Sequence, residues 1–141
     1  YFPGCALTAD MITGFPGETE ADQAAAVAFL EQVGFAAVHV FPYSRRPGTK
    51  ADAMPEQLSH AVKSARAHEA QRVADACKQR YLVQQVGQTL PVLFETEHDG
   101  SWVGHSDNYC LVRAAGDDLR GLVKNVKISA VSGQMLVGDL V

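Results

Sequence analysis

Two short apolar runs with a helical segment between them dominate the first third of the chain. Residues 8–15, TADMITGF, carry Ile12 and Phe15 and predict a buried strand; residues 35–41, FAAVHVF, predict a second, stopped by Pro42. Between them an alanine-rich stretch places Val27, Phe29, Leu30 and Val33 at helical spacing. Thr19 is its expected N-cap, with Asp22 completing an imperfect capping box, and Gly34 its expected C-cap. Strand, helix, strand at this spacing is a βαβ unit, which implies parallel strands and a right-handed crossover. His39, set within the second apolar run, reads as a satisfied core histidine rather than a proton carrier. One βαβ unit cannot cover both faces of its sheet. Further strands are therefore expected from residues before Tyr1 or from a partner chain, with self-association through the sheet edge as one outcome.

The periodicity then changes twice. Pro55 suits the first turn of a long helix reaching about Gln85, with Leu58, Val62, Ala65, Val73, Ala76 and Cys77 near one face and Lys63, Arg66, Arg72, Lys78 and Arg80 as a solvated charged surface. From Gly87 the period is two. TLPVLFETE, SWVGHS, NYCLVRA, GLVKNVKISAV and MLVGDLV are strand-like runs parted by HDG, SDN, AGDD and SGQ, which predicts a small five-stranded barrel of the OB type. The expected organisation is an α/β portion over 1–54, a connecting basic helix over 55–85 and an all-β barrel over 86–141.

Charge is partitioned along the chain. Its formal net charge of -4 divides into five acids and no base over residues 1–41 (-5), eight bases and four acids over 42–85 (+4), and four bases and seven acids over 86–141 (-3). A polyanion would be drawn to the segment from Arg45 to Arg80. The net negative barrel departs from the basic balance usual in nucleic-acid modules.

Parallel α/β units bind ligands where their strands end. Two loops leave those ends here, GFPGET and PYSRRPGT, each rich in Gly and Pro. The first fits neither GxGxxG nor GxxxxGK[ST], and with no Lys or Arg before Arg45 it lacks a cation for a polyphosphate. The carboxylates of Glu18, Glu20 and Asp22 bias it toward hydroxyl or ammonium groups. Cys5, Cys77 and Cys110 form no CxxC and no metal spacing, and read as structural or incidental thiols. No apolar run approaches the length of a membrane helix and no signal sequence opens the chain, so a cytoplasmic protein without a membrane partner is expected. The absence of an initial Met suggests the tail of something longer.

The strings DMITGFPGETEAD and VHVFPYSRRPGTKADAMPEQ, followed by a basic helix and a barrel containing GHSDNYCLVR, resemble the radical S-adenosylmethionine methylthiotransferases that act on tRNA, over nearly the whole chain. HVFPYSRRPGT with GHSDNY looks most like the group acting on threonylcarbamoyladenosine, the others acting on isopentenyladenosine or on a ribosomal protein. The resemblance implies that the βαβ unit ends a partial TIM-like barrel, that the β-barrel is a TRAM RNA-binding domain, and that the partners are the tRNA anticodon stem-loop and a missing N-terminal part of the same enzyme. S-adenosylmethionine is the implied cofactor, with 4Fe-4S clusters in the full-length parent only. The family's cluster motifs, CxxxCxxC among them, have no match here, so this polypeptide alone is expected to be inactive and to hold no catalytic or metal-binding residue. Gly14, Phe15, Pro16, Gly17 and Glu18 would line the cofactor pocket, Glu18 either accepting from the ligand or merely favouring the helix start. Phe41, Pro42 and Tyr43 would approach the adenine, though Tyr43 is equally explained by packing. Arg45 and Arg46 are candidates for tRNA phosphates, Trp102, His105 and Tyr109 for base stacking, and Arg113, Lys124 and Lys127 for the RNA backbone. Trp102 also fits the barrel core, and Lys124 and Lys127, three apart, would face opposite sides of a strand. A stand-alone RNA-binding barrel without catalytic duty is the rival reading.

Overall fold

Each apolar run becomes a strand in the computed structural model, which describes residues 4–141: β1 (Thr8–Thr13), α1 (Glu20–Val33), β2 (Ala37–Pro42), α2 (Lys50–Ala53), α3 (His60–Gln85), then β3 (Thr89–His98), β4 (Ser101–Ser106), β5 (Leu111–Ala115), β6 (Val123–Ser132) and β7 (Met135–Leu140). The chain divides into two compact units, residues 7–78 and residues 4–6 with 79–141.

In the first unit β1 and β2 run parallel, paired from Thr8 with Ala37 to Thr13 with Pro42. Both arms of the capping box form at α1: the Thr19 Oγ1 accepts from Asp22 N at 3.1 Å, and Asp22 Oδ2 accepts from Thr19 N at 2.9 Å. The Thr19 backbone N–H and then its hydroxyl, which donates to Asp22 Oδ2 at 2.7 Å, hold the Asp22 carboxyl below its ordinary range. The carboxylate's contribution to the cap is therefore complete above that range and is lost as pH falls through the lowered value, while the arm from Asp22 N to Thr19 Oγ1 does not titrate. Gly34 ends the helix in the left-handed region, φ 69°.

Helices cover one face of this sheet. Leu30, Val38, Ala70 and Ala74 form its core, flanked by Met11, Val27, Val40 and Val73. The opposite face, Asp10 and Ile12 on β1 with His39 and Phe41 on β2, is exposed, Ile12 by 57% and Phe41 by 51%. An uncovered face agrees with what a lone βαβ unit must leave. His39 corrects the sequence expectation: it is not a core residue but stands on this face opposite Asp10, its ring stacked 6.5 Å from Phe41. Strand alternation places it there, because Val38 and Val40 take the inward positions.

The long helix begins later than its pattern suggested. Pro55 is not in it; Ser59 precedes the first turn, its hydroxyl accepting from Val62 N at 3.3 Å. Residues 54–59 are instead used to close two other elements. Gln57 donates to the carbonyls of Ala51 and Met54 at the end of α2, and the Glu56 carbonyl accepts from Gly17 N at 3.2 Å. The buried stripe of α3 also differs from the one expected. Ala65 and Ala76 are exposed, whereas Arg66, Ala67, Ala70, Ala74 and Cys77 are buried.

In the second unit, β3 to β7 close a barrel in the order β3-β4-β5-β7-β6, with β5 and β7 parallel and every other pair antiparallel. All five predicted strands form. Val92, Phe94, Val112, Val126, Ile128 and Leu136 fill the interior. Trp102, 5% exposed, joins them. The C-terminal end of α3 adds a polar lock: Asn108 Nδ2 donates to the Tyr81 hydroxyl at 3.0 Å and to Gln85 Oε1 at 3.1 Å, while the Tyr81 hydroxyl donates to the Gly4 carbonyl at 3.0 Å. Among the described residues no helix is long and apolar enough to cross a membrane.

Candidate functional site

The pairing of Thr13 with Pro42 brings the two exit loops of the first unit together. Tyr43 N donates to the Thr13 carbonyl at 2.8 Å, and the Phe15 and Tyr43 rings meet edge to face with centroids 5.3 Å apart. Phe15, 40% exposed, and Phe41 leave ring surface open, whereas Pro16 and Gly14 are buried. Gly14 must be glycine on two grounds, since its φ is 70° and an added Cβ would overlap the Lys63 side chain. Gly17, also left-handed at φ 81°, is exposed.

The loop's amides are used internally. Both carboxylate oxygens of Glu18 accept from Gly14 N, at 3.0 and 2.9 Å, Gly17 N goes to Glu56, and Glu18 N donates to the Phe15 carbonyl at 2.9 Å. Glu18, read from the sequence as either a ligand acceptor or a residue favouring the helix start, is thus engaged already, and again by Arg66: Nη1 donates to its carboxylate at 2.7 Å and to its backbone carbonyl at 2.8 Å. Nη2 of the same guanidinium donates to Glu20 at 2.6 Å. The bond to Glu20 raises the Arg66 pKa, burial opposes it, and the bond to Glu18 raises it further, so it stays charged although 6% exposed.

These contacts correct the expectation of a loop without cations. The charge census along the sequence is right for residues 1–44, but α3 carries Arg66 into the loop and sets Lys63 Nζ 5.5 Å from the centre of the Tyr43 ring. Arg66, expected on a solvated surface, is buried because it lies one turn before Ala70 and two before Ala74 on the packed stripe. That spacing was the available signal. Of the two arginines after β2, Arg45 is paired with Asp52 at 2.7 Å and remains 57% exposed, and Arg46 is exposed. An exposed pair of this kind is weak and open to exchange with a phosphate.

On the barrel, His105 and Tyr109 come together. They line a groove of about 550 Å³ with Pro91, Leu93, Glu95 and Val123. Tyr109 is 85% exposed, on a backbone at φ 59°, and His105 Nδ1 lies 2.6 Å from Glu95 Oε2. Trp102, the third stacking candidate, is excluded from that role by its burial inside the barrel. Arg113 is exposed on β5, and Lys124 and Lys127 on β6, two strands that are not neighbours, so the three cations do not converge on one strand pair. Lys127 donates to the Gly87 carbonyl at 2.6 Å.

A metal cluster has no such support. Among the described residues no three His, Cys, Asp or Glu side chains group as metal ligands. Cys77 donates to the Leu30 carbonyl in the first unit's core, Cys110 is buried in the barrel and Cys5 is exposed.

No protein-family model matches the chain. Curated relatives do. It is 38% identical over 132 residues to the threonylcarbamoyladenosine tRNA methylthiotransferase of Bacillus subtilis, covering 89% of this chain and 29% of that protein. It is 40% identical over 141 residues to the tRNA-2-methylthio-N(6)-dimethylallyladenosine synthase of Maricaulis maris, covering 98% and 31%. The synthase of that name from Campylobacter jejuni is 36% identical over 141 residues, covering 99% and 33%. The chain thus spans about a third of the length of the relatives it matches, with similar identity to proteins named for two different tRNA nucleosides. The similarity runs along nearly all of this chain's residues and along about a third of each of these tRNA methylthiotransferases.

Proposed function

We propose that this chain is the C-terminal part of a radical S-adenosylmethionine enzyme that methylthiolates threonylcarbamoyladenosine beside the anticodon of tRNA. In this reading residues 1–54 end the α/β domain, 55–85 connect, and 86–141 form a TRAM barrel that binds the anticodon stem-loop in the cytoplasm. The carrying observation is the meeting of the two exit loops at the carboxyl ends of parallel β1 and β2, with Phe15, Phe41 and Tyr43 gathered there.

These residues fit a sulfonium nucleoside better than a phosphate. The amides of Gly14, Gly17 and Glu18 are committed, so a ligand meets the open ring faces of Phe15 and Phe41, which suit an adenine plane. S-adenosylmethionine bound here would supply the radical that takes hydrogen from the substrate's adenine ring, and the methyl group, with the reducing electron and the added sulfur coming from outside these residues. The chain's own residues bind and orient. Gly17 permits close approach, Phe15 and Phe41 shelter the adenine, and Pro16 and Tyr43 set the wall. The thiols do not suit a cluster, two being buried in separate units, so cluster ligation is assigned outside these residues and the chain alone is inactive. Arg45, Arg46, Arg113 and Lys124 meet phosphates, while Tyr109 and His105 receive unpaired bases.

A second reading keeps the reaction and changes the nucleoside to dimethylallyladenosine, favoured by the 40% identity to the Maricaulis maris synthase. The HVFPYSRRPGT and GHSDNY strings support the first reading.

Amide chemical shifts of the labelled chain test both halves of the proposal at once. S-adenosylmethionine is expected to move the amides of Gly14, Phe15, Gly17, Glu18, Phe41 and Tyr43 and leave the barrel unchanged; an anticodon stem-loop is expected to move those of Tyr109, Arg113 and Lys124. Arg113→Ala with Lys124→Ala should weaken RNA binding and lower its salt slope by about two. An unchanged slope removes those two residues from the interface, and loop amides indifferent to the cofactor overturn the pocket.

A further inference from the structure

Resting on that reading of the cofactor loop, we propose that Arg66 is its positioning residue: from α3 it fixes Glu18, and Glu18 in turn fixes the backbone of Gly14.

The chain of contacts is continuous. One guanidinium nitrogen, Nη1, holds both the carboxylate and the backbone carbonyl of Glu18, at 2.7 and 2.8 Å, and the Glu18 carboxylate closes over Gly14 N with both oxygens. The second nitrogen, Nη2, holds Glu20 at the first turn of α1. Arg66 therefore ties down the residue after β1 and the start of α1 together, and the backbone between them is the loop carrying Phe15, Pro16 and Gly17.

Stability alone is a poor reason for this arrangement. A buried charge is costly to desolvate, and well-packed apolar side chains commonly replace buried ion pairs with no loss. Here the Arg66 Nε is buried without a hydrogen-bond partner, and Glu20 is 89% exposed, where a pair contributes little. What the guanidinium does supply is geometry: a planar fork reaches three acceptors at once, which an ammonium on a flexible stem cannot reproduce. It acts through Glu18 and Gly14 and need not touch the ligand.

The test uses the chain itself, comparing wild type with Arg66→Lys and Glu18→Gln. Hydrogen exchange at Gly14 is expected to accelerate about tenfold or more in Arg66→Lys, the loss of one charge-assisted hydrogen bond, while amides of β2 keep their protection. S-adenosylmethionine affinity of the same variant should fall by a similar factor. Glu18→Gln retains an acceptor for Gly14 N and should show the smaller exchange effect, and it decides the matter if the lysine variant does not fold. Unchanged Gly14 exchange in Arg66→Lys, or faster exchange with cofactor affinity intact, overturns the positioning role. If wild type fails to bind the cofactor, the pocket reading fails, and Gly14 exchange alone decides whether Arg66 sets the loop.

Discussion

Gly104→Ala is expected to prevent closure of the barrel, costing at least about 3 kcal/mol, beyond the usual range for an added methyl group. Gly104 lies on β4 opposite Phe94, beside the irregularity in β3 between Phe94 and Thr96. A Cβ there would overlap the Leu93 carbonyl oxygen and stand 2.7 Å from the Phe94 Cα. Both obstacles are backbone, so no rotamer change relieves them. The strands must separate, breaking the β3–β4 ladder that adjoins Phe94, Val92 and Trp102 in the core. Trp102 is the chain's one tryptophan and buried, so its fluorescence reports directly. The variant should show red-shifted emission and no cooperative melt of the barrel. Gly121→Ala is the control: an added Cβ meets nothing within 4 Å there, and only the positive φ of 73° is strained, worth about 1 kcal/mol. Equal melting of the two variants would contradict the closed-barrel packing.

Arg66→Met is the second large effect, about 3–5 kcal/mol of the first unit's stability. Removing the cation leaves the Glu18 carboxylate, 15% exposed, without its ion-pair partner, and frees the Glu18 carbonyl as well. Truncating the other end of the network is far milder. Glu20 is 89% exposed, so Glu20→Ala should stay within about 1 kcal/mol. Urea midpoints followed by helix circular dichroism would separate them. A methionine variant as stable as wild type would show that Glu18 does not depend on Arg66 for its burial and would contradict the network.

Much of the fold was legible because local signals agreed with one another. Thr19, Asp22 and Gly34 mark both ends of α1, and alternation marked all five barrel strands before their order was known. Parallel pairing of β1 and β2 followed from the crossover helix between them. The reading failed where burial was set by a neighbour in space. His39 sits among apolar residues in sequence, yet strand alternation turns it to the uncovered face. The buried side of α3 is built from small alanines and one arginine, a stripe with too little hydrophobic contrast to show in the pattern. Pro55 signalled a helix start, but Gln57 and Glu56 are drawn into bonds with α2 and Gly17. The candidate site was legible as a pair of loops and not as a network: a census along the chain cannot see a cation arriving from a helix dozens of residues away. Trp102 illustrates the same limit on the barrel, since its strand predicts alternation but not which side is inside.

The most direct test of the central claim is to replace the matching third of the Bacillus subtilis methylthiotransferase with this chain and analyse tRNA nucleosides by mass spectrometry. The account predicts methylthiolated threonylcarbamoyladenosine from the hybrid, abolished by Gly14→Ala, which blocks the loop. A hybrid that folds, carries its clusters and cleaves S-adenosylmethionine yet leaves every tRNA adenosine unmodified would contradict it.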